Sequence, residues 1–255
     1  MRRIAILTGV CCLLFVGACG DDDPGSGSTS STSSTAASPD ARSALPQGSD
    51  PVDLDPADFT TEIDNPYWPI SRGKRWVYTS EDERIVVTRT NRKKTVEGID
   101  AVVLTDIVTQ RNGGGDYVEV TKDWYAQDAD GNVWYLGEDT KEYENGKVAS
   151  TKGSWEHGVD GAYAGIIVPA GPKPDLEYRQ EYYKGEAEDV AKVLSLDATA
   201  KVPFGTFENC LKTLDTTPLE PDVREHKYYA RNVGPVLRTN AEGGGREELV
   251  SFTRE

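Results

Sequence analysis

From Trp76 onward, apolar residues either alternate with polar ones or gather in short β-branched runs. Examples are Trp76-Val77-Tyr78, Ile85-Val86-Val87-Thr88, Ala101-Val102-Val103-Leu104, Tyr117-Val118-Glu119-Val120 and Val133-Trp134-Tyr135-Leu136. Successive side chains of a strand point to opposite faces, so a period of two predicts half-buried strands, and no window keeps a helical period for three turns. Turn residues punctuate the runs at Glu97-Gly98, Asn112-Gly113-Gly114-Gly115, Asp130-Gly131-Asn132, Asn145-Gly146, Lys184-Gly185 and Gly243-Gly244-Gly245. Short strands separated by glycine-bearing turns predict an all-β, antiparallel sandwich or (half-)barrel. The stretch 186–196 carries Val190, Val193, Leu194 and Leu196 at spacings that also suit a short helix.

Comparing the two halves turns that stretch into a strand. Thr95-Val96-Glu97-Gly98-Ile99-Asp100 resembles Lys201-Val202-Pro203-Phe204-Gly205-Thr206-Phe207. Leu104-Thr105-Asp106 resembles Leu211-Lys212-Thr213-Leu214-Asp215, and Trp124-Tyr125-Ala126 resembles Tyr228-Tyr229-Ala230, all at offsets of 104 to 109. A nearly constant offset over several elements predicts an internal duplication, with strand meanders at about 72–150 and 177–253. On that alignment 186–196 falls on 81–91, which is strand-like. Between the copies, 153–175 reads as one long central loop, ordered by the apolar mass of Trp155, Tyr163, Ile166 and Ile167.

Ahead of the strands the pattern changes twice. Arg2 and Arg3 precede an apolar run, 4–16, broken only by Thr8 and Gly9, and small residues then lead to Cys19. This is a secretory leader, too short to span a bilayer and followed by polar chain. Val16-Gly17-Ala18-Cys19 resembles a bacterial lipobox, which implies removal of residues 1–18 and diacylation of the Cys19 sulfur. An ordinary leader with an incidental Cys19 is the alternative. The cysteine stands at the cleavage point with a tether directly behind it, which favours the lipobox, and two acyl chains anchor stably where one does not. Residues 19–58 are rich in Ser, Thr, Pro and Asp without periodicity and are expected to form a disordered tether, leaving 59–255 as a single β domain. The predicted location is extracytoplasmic, lipid-anchored to the bacterial cell membrane.

Three aromatic-rich strings carry a further resemblance. They are Asn65-Pro66-Tyr67-Trp68-Pro69 with Trp76-Val77-Tyr78, Trp124-Tyr125-Ala126-Gln127-Asp128 through Gly131-Asn132-Val133-Trp134-Tyr135, and Gly153-Ser154-Trp155-Glu156 with Tyr178-Arg179-Gln180-Glu181-Tyr182. Together with Tyr228-Tyr229-Ala230, they make the chain similar to a family of uncharacterised secreted bacterial proteins and lipoproteins over most of its body. The resemblance implies fold and localisation and brings no catalytic residue with it. Val168 and Asn232 depart from the family pattern, which has Met and a Gly or Pro-type turn residue there.

The 255 residues include 28 Lys plus Arg against 43 Asp plus Glu, a net charge of −15. That excess of carboxylate argues against a nucleic-acid partner, whose phosphates require clustered cations. Of four cysteines, Cys11 and Cys12 leave with the leader and Cys19 is lipidated, so Cys210 stands alone as a small buried hydrophobe with no intramolecular disulfide to make. No cofactor motif is present.

Candidate chemistry is sparse. Aromatic doublets predict either covered rings or a platform for a sugar or apolar ligand, with Trp68, Trp124, Trp134, Trp155 and Tyr182 as the binding candidates. Exposure separates the two. Asp128, Asp130 and Asn132 suggest calcium, but Gly131 falls at the fourth rather than the sixth position of the loop, and a hairpin turn explains the residues better. Glu156, Asp160 and Glu181 are the carboxylates available for acid/base work on a glycan. The competing expectation is that Arg179 pairs with Glu181 or Glu156 to pin the central loop. The resulting expectation is a non-enzymatic module for a small ligand, a glycan or an envelope partner, with a carboxylate-dependent glycan-active enzyme as the alternative.

Overall fold

The computed structural model describes residues 45–71, 73–112 and 115–254. The leader, Cys19 and the Ser/Thr tract lie outside them. In chain order the strands are β1 Phe59–Thr60, β2 Gly73–Thr79, β3 Glu83–Val96, β4 Ile99–Gln110, β5 Tyr117–Asp128, β6 Val133–Glu144, β7 Lys147–Ser150 and β8 Trp155–Glu156. They continue as β9 Tyr163–Val168, β10 Glu177–Arg179, β11 Glu181–Tyr182, β12 Val190–Val202, β13 Gly205–Thr216, β14 Arg224–Ala230, β15 Gly234–Asn240 and β16 Glu247–Arg254. A single 3-10 turn, Pro56–Asp58, precedes β1, and its N-cap Asp55 accepts a hydrogen bond from the Ala57 amide.

The strands form one antiparallel sheet in the order β10-β12-β13-β14-β15-β16-β2-β3-β4-β5-β6-β9-β11. Its two edges are neighbours in sequence. β10 pairs with β12 and β11 pairs with β9, and only Gln180 separates them, so one extended stretch brings both edges together and the sheet curls into a nearly closed barrel rather than a sandwich. The Gln180 amide donates to the Asp189 carbonyl at 2.8 Å, while Arg179 Nη2 reaches the Ala164 carbonyl at 2.7 Å on the opposite edge. Gly165 makes this approach possible, because a Cβ there would lie 2.4 Å from the Gln180 carbonyl oxygen. Closure hides the edge amides and carbonyls that an open sheet would expose.

The duplication is visible as two four-stranded meanders. β3–β6 begin at 83, 99, 117 and 133, and β12–β15 begin at 190, 205, 224 and 234, each opening with a long hairpin whose register is interrupted by bulges. The stretch 186–196 is strand from Val190 onward, with Glu186 in the preceding turn. The expected long central loop is not one. Its residues supply β8, paired with β6, and β9, a wall strand whose Ala164, Ile166 and Val168 are buried, because its apolar residues satisfy the open edge of β6. The expected tether also ends early. From Leu45 the chain is held to the barrel: the Arg179 amide donates to the Pro46 carbonyl at 2.8 Å and Gln47 Nε2 to the Glu177 carbonyl at 2.7 Å.

One end of the barrel is sealed by 61–71. Trp68 is fully buried against Trp76, ring centroids 5.0 Å apart, and Trp76 Nε1 donates to the Val233 carbonyl at 2.7 Å. Gly234, at φ +103, leaves room for the Trp68 ring, which a Cβ would meet at 2.4 Å. Gln127 Oε1 accepts from the Asp64 and Asn65 amides, tying the seal to β5. Asn232 sits at φ 62 in the β14–β15 turn, a left-handed conformation that asparagine tolerates.

Candidate functional site

The candidate aromatic residues are packed in the body. Trp68 is fully buried, and Trp124, Trp134 and Trp155 keep 8, 7 and 5 % of their surface. Trp155 lies edge-on to Tyr135, Trp134 takes Phe59 on its edge, and Tyr182 stacks on Tyr163 with centroids 6.0 Å apart. Exposure was the deciding quantity, and the tryptophans do not make an open platform. Around the outward Trp124 and Trp134 of β5 and β6, Lys94 Nζ sits 4.8 Å over the Trp124 ring, β1 pairs with the end of β5, and β8 pairs with β6.

The candidate carboxylates are not brought together. Glu156 pairs with Lys94 at 2.9 Å on the outer face, Asp160 occupies a turn at φ 51, and Glu181 is buried and accepts from Trp155 Nε1 at 2.7 Å. The expected Arg179–carboxylate pair is absent. Both Nη atoms of Arg179 donate to backbone carbonyls, of Gly48, Asp50 and Ala164, because the residue sits on the closing segment and fastens the chain that arrives from the tether. Asp128 is engaged by its own hairpin: Oδ1 accepts from the Asn132 amide and Oδ2 from Asn132 Nδ2 and Trp134 Nε1, which is a turn rather than an ion site. Cys210 is buried and free. Among the described residues no three His, Cys, Asp or Glu side chains converge as a metal site.

Sequence reasoning did not anticipate the polar half of the barrel interior. Register places Asp106 opposite Thr121, Asp123 opposite Glu138, and Thr213 opposite Lys227, all on the inward face. At equivalent points the first meander supplies acids, Asp123 and Glu138, where the second supplies bases, Lys227 and Arg238. Lys227 pairs with Asp215 at 2.9 Å, and Arg238 with Glu247 at 2.7 Å and Glu225 at 3.4 Å. The surplus acids are short of partners. Burial raises the Asp106 carboxyl well above the ordinary carboxylate range, with the Asp123 charge adding to it, and pushes Asp123 up to about 7 even though Tyr135 donates to it at 2.7 Å. Burial likewise holds Glu119 and Glu247 at about 7 and lifts Glu138 and Glu181. Asp106 Oδ1, Asp123 Oδ2 and the Tyr125, Tyr178 and Tyr229 hydroxyls have no hydrogen-bond partner among the described residues.

The open space lies on the outside. The β12–β13 hairpin arches over β14–β16, fastened where the Phe204 amide donates to the Leu249 carbonyl at 3.0 Å and Arg246 Nη2 to the Lys201 carbonyl at 3.1 Å. Beneath it the cross-strand pairs Tyr228–Leu237 and His226–Thr239 floor a groove of about 510 Å³. Lys201 and Thr199 wall it on one side, and the 240–246 turn with Arg246 on the other. This volume falls within the range of small-molecule sites, about 300–1,000 Å³. Alternation in β14 did signal that His226 and Tyr228 share a face. The hairpin that roofs them is a matter of bulges and was not readable.

No family model and no curated protein matches the sequence. A solved structure described as a "putative lipoprotein" from Parabacteroides distasonis is similar over 73 % of this chain and 98 % of its own, at 13 % identity and a TM-score of 0.38. A likeness that loose transfers neither site nor function.

Proposed function

We propose that the protein is a membrane-anchored extracytoplasmic lipoprotein, held by a diacylglyceryl group on Cys19, whose barrel is a non-enzymatic binding module for a small ligand, a glycan or an envelope partner. The observation that supports binding is the groove under the β12–β13 hairpin, an open concavity on a barrel that covers its other repeat with its own tryptophans. The glycan-active enzyme loses ground because Glu156 is neutralised by Lys94, Glu181 is committed to Trp155 and Asp160 sits apart in a turn, so the three expected carboxylates do not form a pair. Anchoring is supported by the lipobox-like Val16-Gly17-Ala18-Cys19 and the resemblance of the aromatic strings to secreted proteins and lipoproteins.

Membrane fractionation tests the anchor. Cys19→Ala is expected to move the protein from the detergent phase to the aqueous phase and to remove the acyl mass from its amino terminus; a variant that stays with the membrane contradicts the reading. Native mass spectrometry of the detergent-extracted protein tests the binding half, the expectation being an added mass that denaturation releases.

A further inference from the structure

The two meanders repeat the same strands, yet their outer faces are finished differently. In the first, Trp124 is capped by Lys94, Trp134 is met by Phe59, and β1 and β8 add to β5 and β6. In the second, Tyr228 occupies the place of Trp124 in the repeat and is likewise overlaid by a lysine, Lys212, but among the described residues no added strand pairs with β14 or β15, and the face opens into the groove. The lining also runs against the composition. The chain carries 43 carboxylates, but the residues that line the groove include none, while Lys201, His226 and Arg246 are among them. Arg246 is neutralised by Glu248 at 2.6 Å, whereas no carboxylate pairs with Lys201 among the described residues. Lys212, 5.3 Å over the Tyr228 ring, is a cation beside the groove rather than part of its lining.

Resting on the binding-module reading, we propose that this groove is a site for a small ring-bearing anion, a sugar carrying a carboxylate or a phosphate. Tyr228 with Leu237 gives the ring an apolar face to lie on, since aromatic side chains combine a flat apolar surface with a polar tip. Thr199, Thr239 and Asn240 supply the short hydrogen-bonding groups that hydroxyls need. Lys201 supplies the unpaired charge. A neutral sugar would leave the Lys201 ammonium unmatched, and a cationic ligand would be repelled.

Isothermal titration of the full-length protein in detergent with D-glucuronate, glucose 6-phosphate, glucose and inorganic phosphate decides it. The expected result is saturable binding of one or both charged sugars, with glucose and inorganic phosphate weaker; which charged sugar prevails separates carboxylate from phosphate recognition. Lys201→Glu should weaken binding about tenfold or more, the scale of one charge-assisted hydrogen bond. Tyr228→Ala should weaken it about threefold to tenfold, the scale of one ring contact. Lys147→Glu, on the remote β7 edge, makes the same charge change and should leave affinity as it was. Binding of glucose as tight as that of the charged sugars overturns the anion claim and leaves the binding module standing. Charged-sugar binding that ignores both groove variants overturns the site. No binding by any probe, with a folded spectrum, removes the groove's ligand class, and native mass spectrometry then decides the module separately.

Discussion

Individual side chains divide into those that seal the barrel and those that charge it. Trp68 is the largest seal, fully buried against Trp76 and accommodated by the missing Cβ of Gly234. Trp68→Ala removes a whole indole from a site with no smaller residue to relax inward, so it should cost about 3–5 kcal/mol, read as a lowered denaturation midpoint at unchanged slope. Asp106 acts in the opposite sense. Its carboxyl is buried, raised well above the ordinary range by desolvation and by Asp123, and one of its oxygens has no partner. Asp106→Asn keeps the shape without the ionisation and is expected to raise Tm at pH 8, with the gain shrinking toward pH 4, where the aspartate is protonated anyway; a lower Tm at pH 8 contradicts this. Period-two alternation made Asp106, Asp123 and Lys227 legible as one face of their strands. Which face was inward depended on Val87, Leu104 and Thr213 across the register, and cross-strand partners lie far away in sequence.

Among the elements, the closing segment Glu177 to Tyr182 does the most for its length. It belongs to both edges, and Gly165 on β9 is the point where the two come nearest. Gly165→Ala should therefore force the β9–β11 seam apart and destabilise by about 1–3 kcal/mol, the ordinary range for overpacking. Hydrogen exchange should show protection lost first at the amides of β9 and β11, where Glu181 lies opposite Ala164 and Tyr182 opposite Tyr163; uniform loss across all strands would mean the seam is not the weak point. Strand existence and the duplication were legible because hydrophobic alternation and glycine turns are local signals. The misread central loop was different in kind. Its β9 residues Ile166, Ile167 and Val168 form a short apolar run that becomes a wall strand only because β6 offers an unsatisfied edge. Arg179 was misassigned for a related reason, since its true partners are carbonyls of Gly48 and Asp50, some 130 residues away in the chain.

At the scale of the molecule, the barrel encloses more acid than base, and that sets its response to pH. Glu119, Asp123 and Glu247 are held at about 7 and Asp189 at about 6, each first by burial. Below about pH 4 these groups are protonated in folded and unfolded chains alike, so they cost nothing. Between there and about pH 7 the unfolded chain releases protons that the folded barrel retains, and stability falls as pH rises; above pH 7 the loss is complete. At about 1.4 kcal/mol per pH unit, a carboxyl at about 7 instead of 4.5 withdraws on the order of 3 kcal/mol. His157 and His226, lowered by burial, oppose this below about pH 6.5, where only the unfolded chain takes up the proton. Denaturant titrations are expected to show the barrel more stable near pH 5 than at pH 8, and the reverse order would mean that the interior acids are satisfied by groups other than those described.

The amino-acid order alone settles the quantities that depend on neighbours within a few residues: strands rather than helices, the turns between them, and two copies of one meander. It also settles the sign of the charge. Closure belongs to the tertiary structure, because Glu177 to Tyr182 joins two edges whose strands are remote in sequence. So do the acid-rich interior, which needs register to bring Asp106, Asp123 and Glu138 onto one lining, and the groove, which exists because one hairpin arches over a face that its twin fills with tryptophan. Local pattern fixes which way a side chain alternates. Only the pairing of distant strands decides what it meets.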